Sequence, residues 1–387
     1  MQLVTSLLVG LTTGVTVLLG QKIGEGRPDE AGSVVGSAIC LFVCVALALT
    51  ALLSALTEPF CRLLQAPEEA FVPTTQYVRI CSAGTLFIVA FNVIGSVFRG
   101  LGNSKMPLIT VAIACVTNIF GDLLLVDVFQ MGAAGAALAT VFAQAVSVIL
   151  SLFVIMRRKL PFTFRKEQLR FDRPLTAGIL RLGIPIALQD VLVGVSFLVI
   201  LAIVNSLGLL QSAGMGIAEK VCAFVMLLPS AFSQSVSAFV AQNTGAGKPE
   251  RAKNALRYSV AVSLCISVFV FYFNFFHGDL LAGIFANDHA VILEAADYLK
   301  AYAIDCLLTS FLFCFVGYFS GLGKTVFVMT QGILGAFGVR IPVSFAMSRL
   351  PNARLFYIGL ATPCSTVVQV LLCLGYYAHL ARRERRA

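Results

Sequence analysis

Long apolar runs, each closed by glycine, proline or charge, fill this chain from one end to the other. Eleven can be read, at about 1–20, 32–56, 71–99, 107–127, 133–156, 181–206, 213–241, 254–276, 291–320, 326–348 and 356–380. Each approaches or exceeds the ~20 residues that carry a helix across a ~30 Å hydrocarbon core. The breaks between them hold the residues that make turns. The pattern predicts an all-α polytopic membrane protein. The longest connection, over 157–176, contains Pro161, Pro174 and a basic run. It separates an N-terminal bundle over 1–160, a linker over 161–177 and a C-terminal bundle over 178–387.

The polar breaks also repeat. Gln21-Lys22-Ile23-Gly24-Glu25-Gly26-Arg27-Pro28 returns as Gln242-Asn243-Thr244-Gly245-Ala246-Gly247-Lys248-Pro249, 221 residues on. Phe98-Arg99-Gly100-Leu101-Gly102 returns as Phe319-Ser320-Gly321-Leu322-Gly323, and Tyr77 as Tyr298, at the same offset. A constant offset over so long a stretch marks a duplicated unit. Run backwards, it maps residue 222 onto residue 1, so the segment from about 165 to 221 has no partner in the first half. The expectation is a pair of six-helix repeats with about 11 of 12 helices present, the chain starting inside a helix. An even number of spans returns each half to its starting side, which makes the repeats parallel, related by a pseudo-two-fold along the membrane normal.

Composition narrows the class. Hydrophobic residues make up 58% and charged residues 12%, against about 25% charged in a soluble domain. The net charge of +9 is a matter of position: 21 of the 28 Lys and Arg fall in one alternating set of segments, and only Arg62, Arg349 and Arg354 in the other. That bias places the Gly-rich loops and the C-terminus in the cytoplasm, and it removes nucleic acid as a partner. Ten of the eleven cysteines sit in or beside apolar segments, with Cys61 in an expected outer loop; their spacing gives neither a disulfide framework nor a zinc site. His277 and His289 share an outer loop and read as solvated. The Gly-rich loops follow no strand and end in no Gly-Lys-Ser/Thr, so they are turns that need positive φ and not phosphate sites. No enzyme motif and no cofactor site is legible.

Three motifs together resemble the multidrug and toxic compound extrusion (MATE) family of cation-coupled antiporters. They are the two Gln-x-x-Gly-x-Gly-x-Pro-x-x-Ala loops, the run Arg99-Gly100-Leu101-Gly102-Asn103-Ser104-Lys105-x-Pro107, and Gly183-Ile184-Pro185-Ile186-Ala187-Leu188-Gln189. The resemblance covers the chain in order, without the family's first helix and the start of the second. It implies a monomeric, multi-pass protein of the cell membrane that exports small organic, cationic compounds in exchange for H+ or Na+ by alternating access. Two alternatives stay open: a flippase for a lipid-linked precursor, which shares the architecture, and a truncated, inactive product.

Charges inside spans are costly and mark function. Asp122, Asp190, Glu219 and Asp305 stand out, with Lys220 and Arg340 as possible partners. Asn118 precedes Asp122 by four residues, which puts both on one helix face. The resemblance implies that this Asn-x-x-x-Asp pair belongs to a cation site in the N-terminal half, with Asn92 and Thr140 as neighbours; the family's companion aspartate would lie on the missing first helix. Oxygen ligands suit a hard cation, and a carboxylate suits a proton. In the second half Val339 and Val343 replace the pair. There Asp190 and Asp305 lie about one turn from the positions where related branches carry coupling acids, and Val193 occupies one of those positions. Glu219 is a candidate cavity-lining or interhelical acid. Arg340, ahead of Pro342, reads as a structural charge partner. Thirty-one Phe and no Trp fit a cavity for flat organic cations, although most of these rings read as packing.

Overall fold

The computed structural model describes residues 2–63, 68–157, 164–351 and 354–384. In lipid each backbone polar group must find its partner within the protein, and the described chain does so with helices and no strand. In order these are α1 (Gln2–Gly24), α2 (Pro28–Leu63), α3 (Glu68–Ala83), α4 (Thr85–Gly100), α5 (Lys105–Asp122), α6 (Gly132–Arg157), α7 (Arg173–Asn205), α8 (Leu209–Gly245) and α9 (Pro249–Phe276). They continue with α10 (Gly278–Gly283), α11 (His289–Gly321), α12 (Thr325–Ile333), α13 (Ile341–Ser348), α14 (Leu355–Gly359) and α15 (Ala361–Glu384). Two π-helical segments, Leu123–Val128 and Leu334–Arg340, interrupt the α pattern, and a short 3₁₀ turn covers Lys166–Gln168. Ten of these helical stretches are long and apolar enough to cross a membrane, or eleven if the bent pair α3–α4 counts as one span. Cys61 is a correction to the sequence reading. The sequence placed it in an outer loop after the run 32–56, but α2 carries on past that run to Leu63 and takes Cys61 with it.

The chain forms two compact units, Met1–Ala187 with Gly245–Gly247, and Leu188–Thr244 with Lys248–Ala387. The first is built on Leu8, Val15 and Leu19 of α1, Val34 and Phe42 of α2, Val93 of α4 and Ile179 of α7. Within it α1 meets the opening half of α7 through small residues. A Cβ on Gly183 would come within 2.5 Å of the Leu11 carbonyl, and one on Gly14 would strike that of Ile179. Small-xxx-small spacing of this kind lets helix backbones touch where lipid offers no hydrophobic drive. α5 and α6 run antiparallel, with the Ser147 hydroxyl donating to the Thr110 carbonyl at 2.9 Å and Gly121 against Ala139.

The second unit has one core around Ile200, Val204, Met215, Tyr298, Tyr302 and Cys306, and another around Val240, Leu256, Phe315, Phe319 and Val328. Here Gly317 and Gly321 of α11 press on the carbonyls of Ser233 and Ser237 of α8. The contact repeats one in the first unit, where Gly100 meets the Thr16 carbonyl and the Thr16 hydroxyl donates to the Ser96 carbonyl at 3.0 Å. Gly100, Thr16 and Ser96 stand 221 residues before Gly321, Ser237 and Gly317.

The turns repeat as closely. Gly26 and Gly247 have φ of 70° and 66°, and Gly102 and Gly323 have 75° and 73°. Each sits just beyond a helix end, and the following N–H reaches back five residues: Arg27 to the Lys22 carbonyl at 3.1 Å, Lys248 to Asn243 at 2.8 Å, Asn103 to Phe98 at 2.9 Å and Lys324 to Phe319 at 2.8 Å. This is the Schellman closure, and its left-handed residue is glycine because a Cβ would clash there. Symmetry fails between α3–α4 and α11. Gly84 separates α3 from α4 at a 54° bend, while its repeat counterpart, Asp305, lies in the unbroken α11.

Candidate functional site

Asp122 is the last residue of α5, and the π-helical segment Leu123–Val128 begins directly after it. A π-helical insertion changes the angular phase of the residues beyond it, and such insertions recur at functional sites. Asp122 and Asn118 are both half-buried. Asp122 Oδ1 and Asn118 Nδ2 are shielded from solvent and lack a hydrogen-bond partner. Buried polar atoms are normally paired, so two orphans one turn apart call for an explanation.

The neighbours implied by the resemblance differ in how they are held. The Asn92 amide donates to the Ile88 carbonyl at 2.8 Å and the Thr140 hydroxyl to that of Ala136 at 2.9 Å. Each spends its proton on its own helix and keeps oxygen lone pairs as acceptors. The α5–α6 register, fixed by Gly121 against Ala139, brings Thr140 to the level of the pair. Gln144, one turn further along α6, has a buried and unpartnered Oε1. Sequence reasoning missed Tyr77 of α3, which lies within electrostatic reach of Asp122 and hydrogen-bonds Cys81. The signal for it was present, since Tyr77 is one of the positions held in both repeats.

In the second unit Asp305 stands at the midpoint of α11 and is 1% exposed. Arg340, 6% exposed, closes the π-helical segment Leu334–Arg340. The two interact electrostatically, and Thr366 of α15 hydrogen-bonds the carboxylate. Arg340 Nη1 donates to Ser196 Oγ at 3.2 Å, and its guanidinium stacks 4.6 Å from the Phe197 ring centroid. Arg340 Nε and Asp305 Oδ1 have no partner. Tyr298, counterpart of Tyr77, hydrogen-bonds Thr362 and lies within reach of Arg340 and Glu219. Arg340 is thus the neighbour of Asp305, as the sequence suggested, but it is shared with Ser196 and Phe197.

The other candidates are scattered. Glu219 is half-buried on α8 near Cys222 and Tyr298. Lys220 is exposed, 5.9 Å from the Phe285 ring, and does not serve the acids as a buried partner. Asp190 is half-buried, and among the described residues no hydrogen bond or ion pair holds it. The first unit thus holds Asp122 with Asn118 one turn before it and Tyr77 within electrostatic reach, and the second holds Asp305 with the Arg340 guanidinium nearby. Among the described residues no group of three His, Cys, Asp or Glu is placed to hold a metal.

Ten or eleven apolar spans among the described residues, with incompletely paired carboxylates inside them, define a polytopic membrane protein. The chain belongs to the MATE family: the model of that family, MatE, matches residues 1–124 and 185–346. The chain is 24% identical over 390 residues to the Probable multidrug resistance protein YoeA of Bacillus subtilis, covering 99% of this chain and 84% of that one. It is 26% identical to the Multidrug export protein MepA of Staphylococcus saprophyticus, over 88% of this chain and 74% of the relative. A 28% match to the FAD transporter of Shewanella oneidensis spans 75% of this chain and 65% of that protein. Among solved structures, a MATE protein in complex with MaD3S superposes with a TM-score of 0.92 at 17% identity, over 99% of this chain and 86% of the other. An outward-facing multidrug resistance MATE transporter gives 0.91 at 18% identity, over 99% and 86%.

Proposed function

We propose that this chain exports small organic compounds, cationic ones among them, in exchange for inward H+ or Na+, with Asp122 as the coupling carboxylate. The observation that carries the reading is the pair of orphaned atoms, Asp122 Oδ1 and Asn118 Nδ2, one helical turn apart. A carboxylate oxygen held in a low-dielectric setting without a donor is ready to take a proton or a hard cation. The Asn118 carbonyl oxygen, Asn92 and Thr140 supply further oxygen ligands, and the Tyr77 hydroxyl stands by. Asp305 is a second carboxylate for coupling or substrate, with Arg340 as its resident counter-charge; Asp190 and Glu219 are lesser candidates. The basic residues orient the Gly-rich loops and the C-terminus toward the cytoplasm.

The test is export of a fluorescent organic cation by the reconstituted protein under an imposed proton or sodium gradient. Asp122→Asn should leave dye binding in place and abolish gradient-driven transport. Undiminished driven transport by a monodisperse Asp122→Asn protein would remove Asp122 from the role. A second reading, export of a flavin nucleotide, is favoured by the Shewanella relative and by the buried guanidinium of Arg340. Competition between FAD and the cationic dye in the same liposomes decides between them.

A further inference from the structure

The segment that leads into α7 is fastened along the flank of α2, and Gln168 is the fastener. Its Oε1 accepts the Arg165 N–H at 2.9 Å, and its Nε2 donates to the Asp29 carbonyl at 3.1 Å. One step on, the Ser37 hydroxyl donates to the Arg170 carbonyl at 3.4 Å. Two glycines of α2 make room. The Gln168 carbonyl occupies the place where a Cβ of Gly36 would stand, and its side-chain amide crowds Gly32. From Asp29 to Ser37 the helix rises about 12 Å, and these residues open the membrane span Pro28–Pro59. The fastened segment therefore runs beside the opening turns of that candidate span.

Its free side carries an unusual mixture. Phe164, Leu169 and Phe171 are 41%, 50% and 55% exposed. They alternate with exposed Arg165, Lys166, Arg170 and Arg173. Among the described residues none of these four basic side chains is in an ion pair. The turn between α1 and α2 is different, because Lys22 and Arg27 are matched there to Glu25 and Glu30. Aromatic rings beside unpaired cations at the level of a membrane surface have the composition of an interfacial anchor.

We propose that residues 164–173 form a docking strip for anionic phospholipid headgroups. Phe164, Leu169 and Phe171 enter the boundary between headgroups and acyl chains, and Arg165, Lys166, Arg170 and Arg173 meet the phosphates. Each basic residue near an anionic surface favours binding about fivefold. The leaflet concerned follows from the orientation proposed above; the headgroup chemistry does not depend on it.

The chain contains no tryptophan, so Phe171→Trp installs a single reporter at an exposed position of the full-length protein. It is reconstituted in phosphatidylcholine alone and with added phosphatidylglycerol, each with and without brominated acyl chains. The expected result is blue-shifted emission that bromolipid quenches, strengthened as phosphatidylglycerol is added. Adding Arg165→Gln, Lys166→Gln and Arg170→Gln should raise the phosphatidylglycerol needed for half the shift by at least about fivefold. Water-like emission untouched by bromolipid would overturn the proposal, because the strip would then face solvent or another protein. Quenching that is indifferent to phosphatidylglycerol and to the three glutamines would overturn the anionic assignment. Dye export by the three-glutamine protein, compared with that of Asp122→Asn, keeps this result separate from the coupling reading.

Discussion

Asp305 and Arg340 are the deepest pair of opposite charges in the second unit, and removing one should cost far more than removing both. Asp305 is 1% exposed and Arg340 6%, so neither gains much from water. A guanidinium keeps its charge at any working pH, and Asp305→Asn leaves it buried with Ser196, the Phe197 ring and nearby Tyr298 but without its carboxylate. Breaking a buried pair from one side typically costs about 3–5 kcal/mol. Because Arg340 is shared with Ser196 and does not close directly on the acid, about 3 kcal/mol is expected here. Arg340→Met strands the carboxylate, with Thr366 as its remaining partner, at a similar cost. The double variant removes both charges, and methionine keeps most of the volume, so its stability should lie within about 1–2 kcal/mol of the starting protein. The resulting coupling energy, about 4–5 kcal/mol, lies above the usual range for contacting residues, because each single variant leaves a buried charge uncompensated. Unfolding in dodecyl sulfate mixed micelles, followed by helical circular dichroism, measures all four proteins. Costs that simply add in the double variant would refute the pairing and make the two residues independent. If the double variant is stable but no longer transports, the pair acts in the transport cycle as well as in the fold.

Two further outcomes test the helix seams and turns. Gly321→Leu forces a side chain into the Ser237 carbonyl, 2.6 Å from the ideal Cβ, and should destabilise the second unit by about 1–3 kcal/mol in the same unfolding assay. Gly323→Ala, at φ 73°, should cost about 1–2 kcal/mol. Gly216→Ala, in a helix with open space around it, should be neutral or stabilising by up to about 1 kcal/mol and serves as the control.

Much of the fold was legible because lipid leaves few choices. Apolar runs of spanning length had to become helices, and the Gly-x-Gly turns recurring 221 residues apart had to close their helices alike. Details that depend on neighbouring helices were not legible. Nothing in residues 71–99 announced that Gly84 would mark a 54° bend, or that Val141 of α6 would stand where its Cβ would be. The π-helical segments after Asp122 and before Ile341 left no periodic trace in runs that are apolar on all sides. Asp122, Asn118 and Asp305 were visible as charge or amide in apolar surroundings. Tyr77 was visible as a repeated position without a role, and the grip of Ser196 and Phe197 on Arg340 emerges only when α7 and the 334–340 segment are placed in space. Lys220 was misjudged as a partner because position along a helix does not tell which side meets solvent.

Position 84 in the first repeat and position 305 in the second descend from one place in a duplicated pattern, yet one supplies a joint and the other a charge. The seams at Thr16–Gly100 and Ser237–Gly321 and the Schellman turns are interchangeable hardware; this pair is not. A protein assembled from two first halves would own two joints and no acid at this position, and one from two second halves the reverse. The shared scaffold thus carries different residues at equivalent places, and each half brings one feature the other lacks.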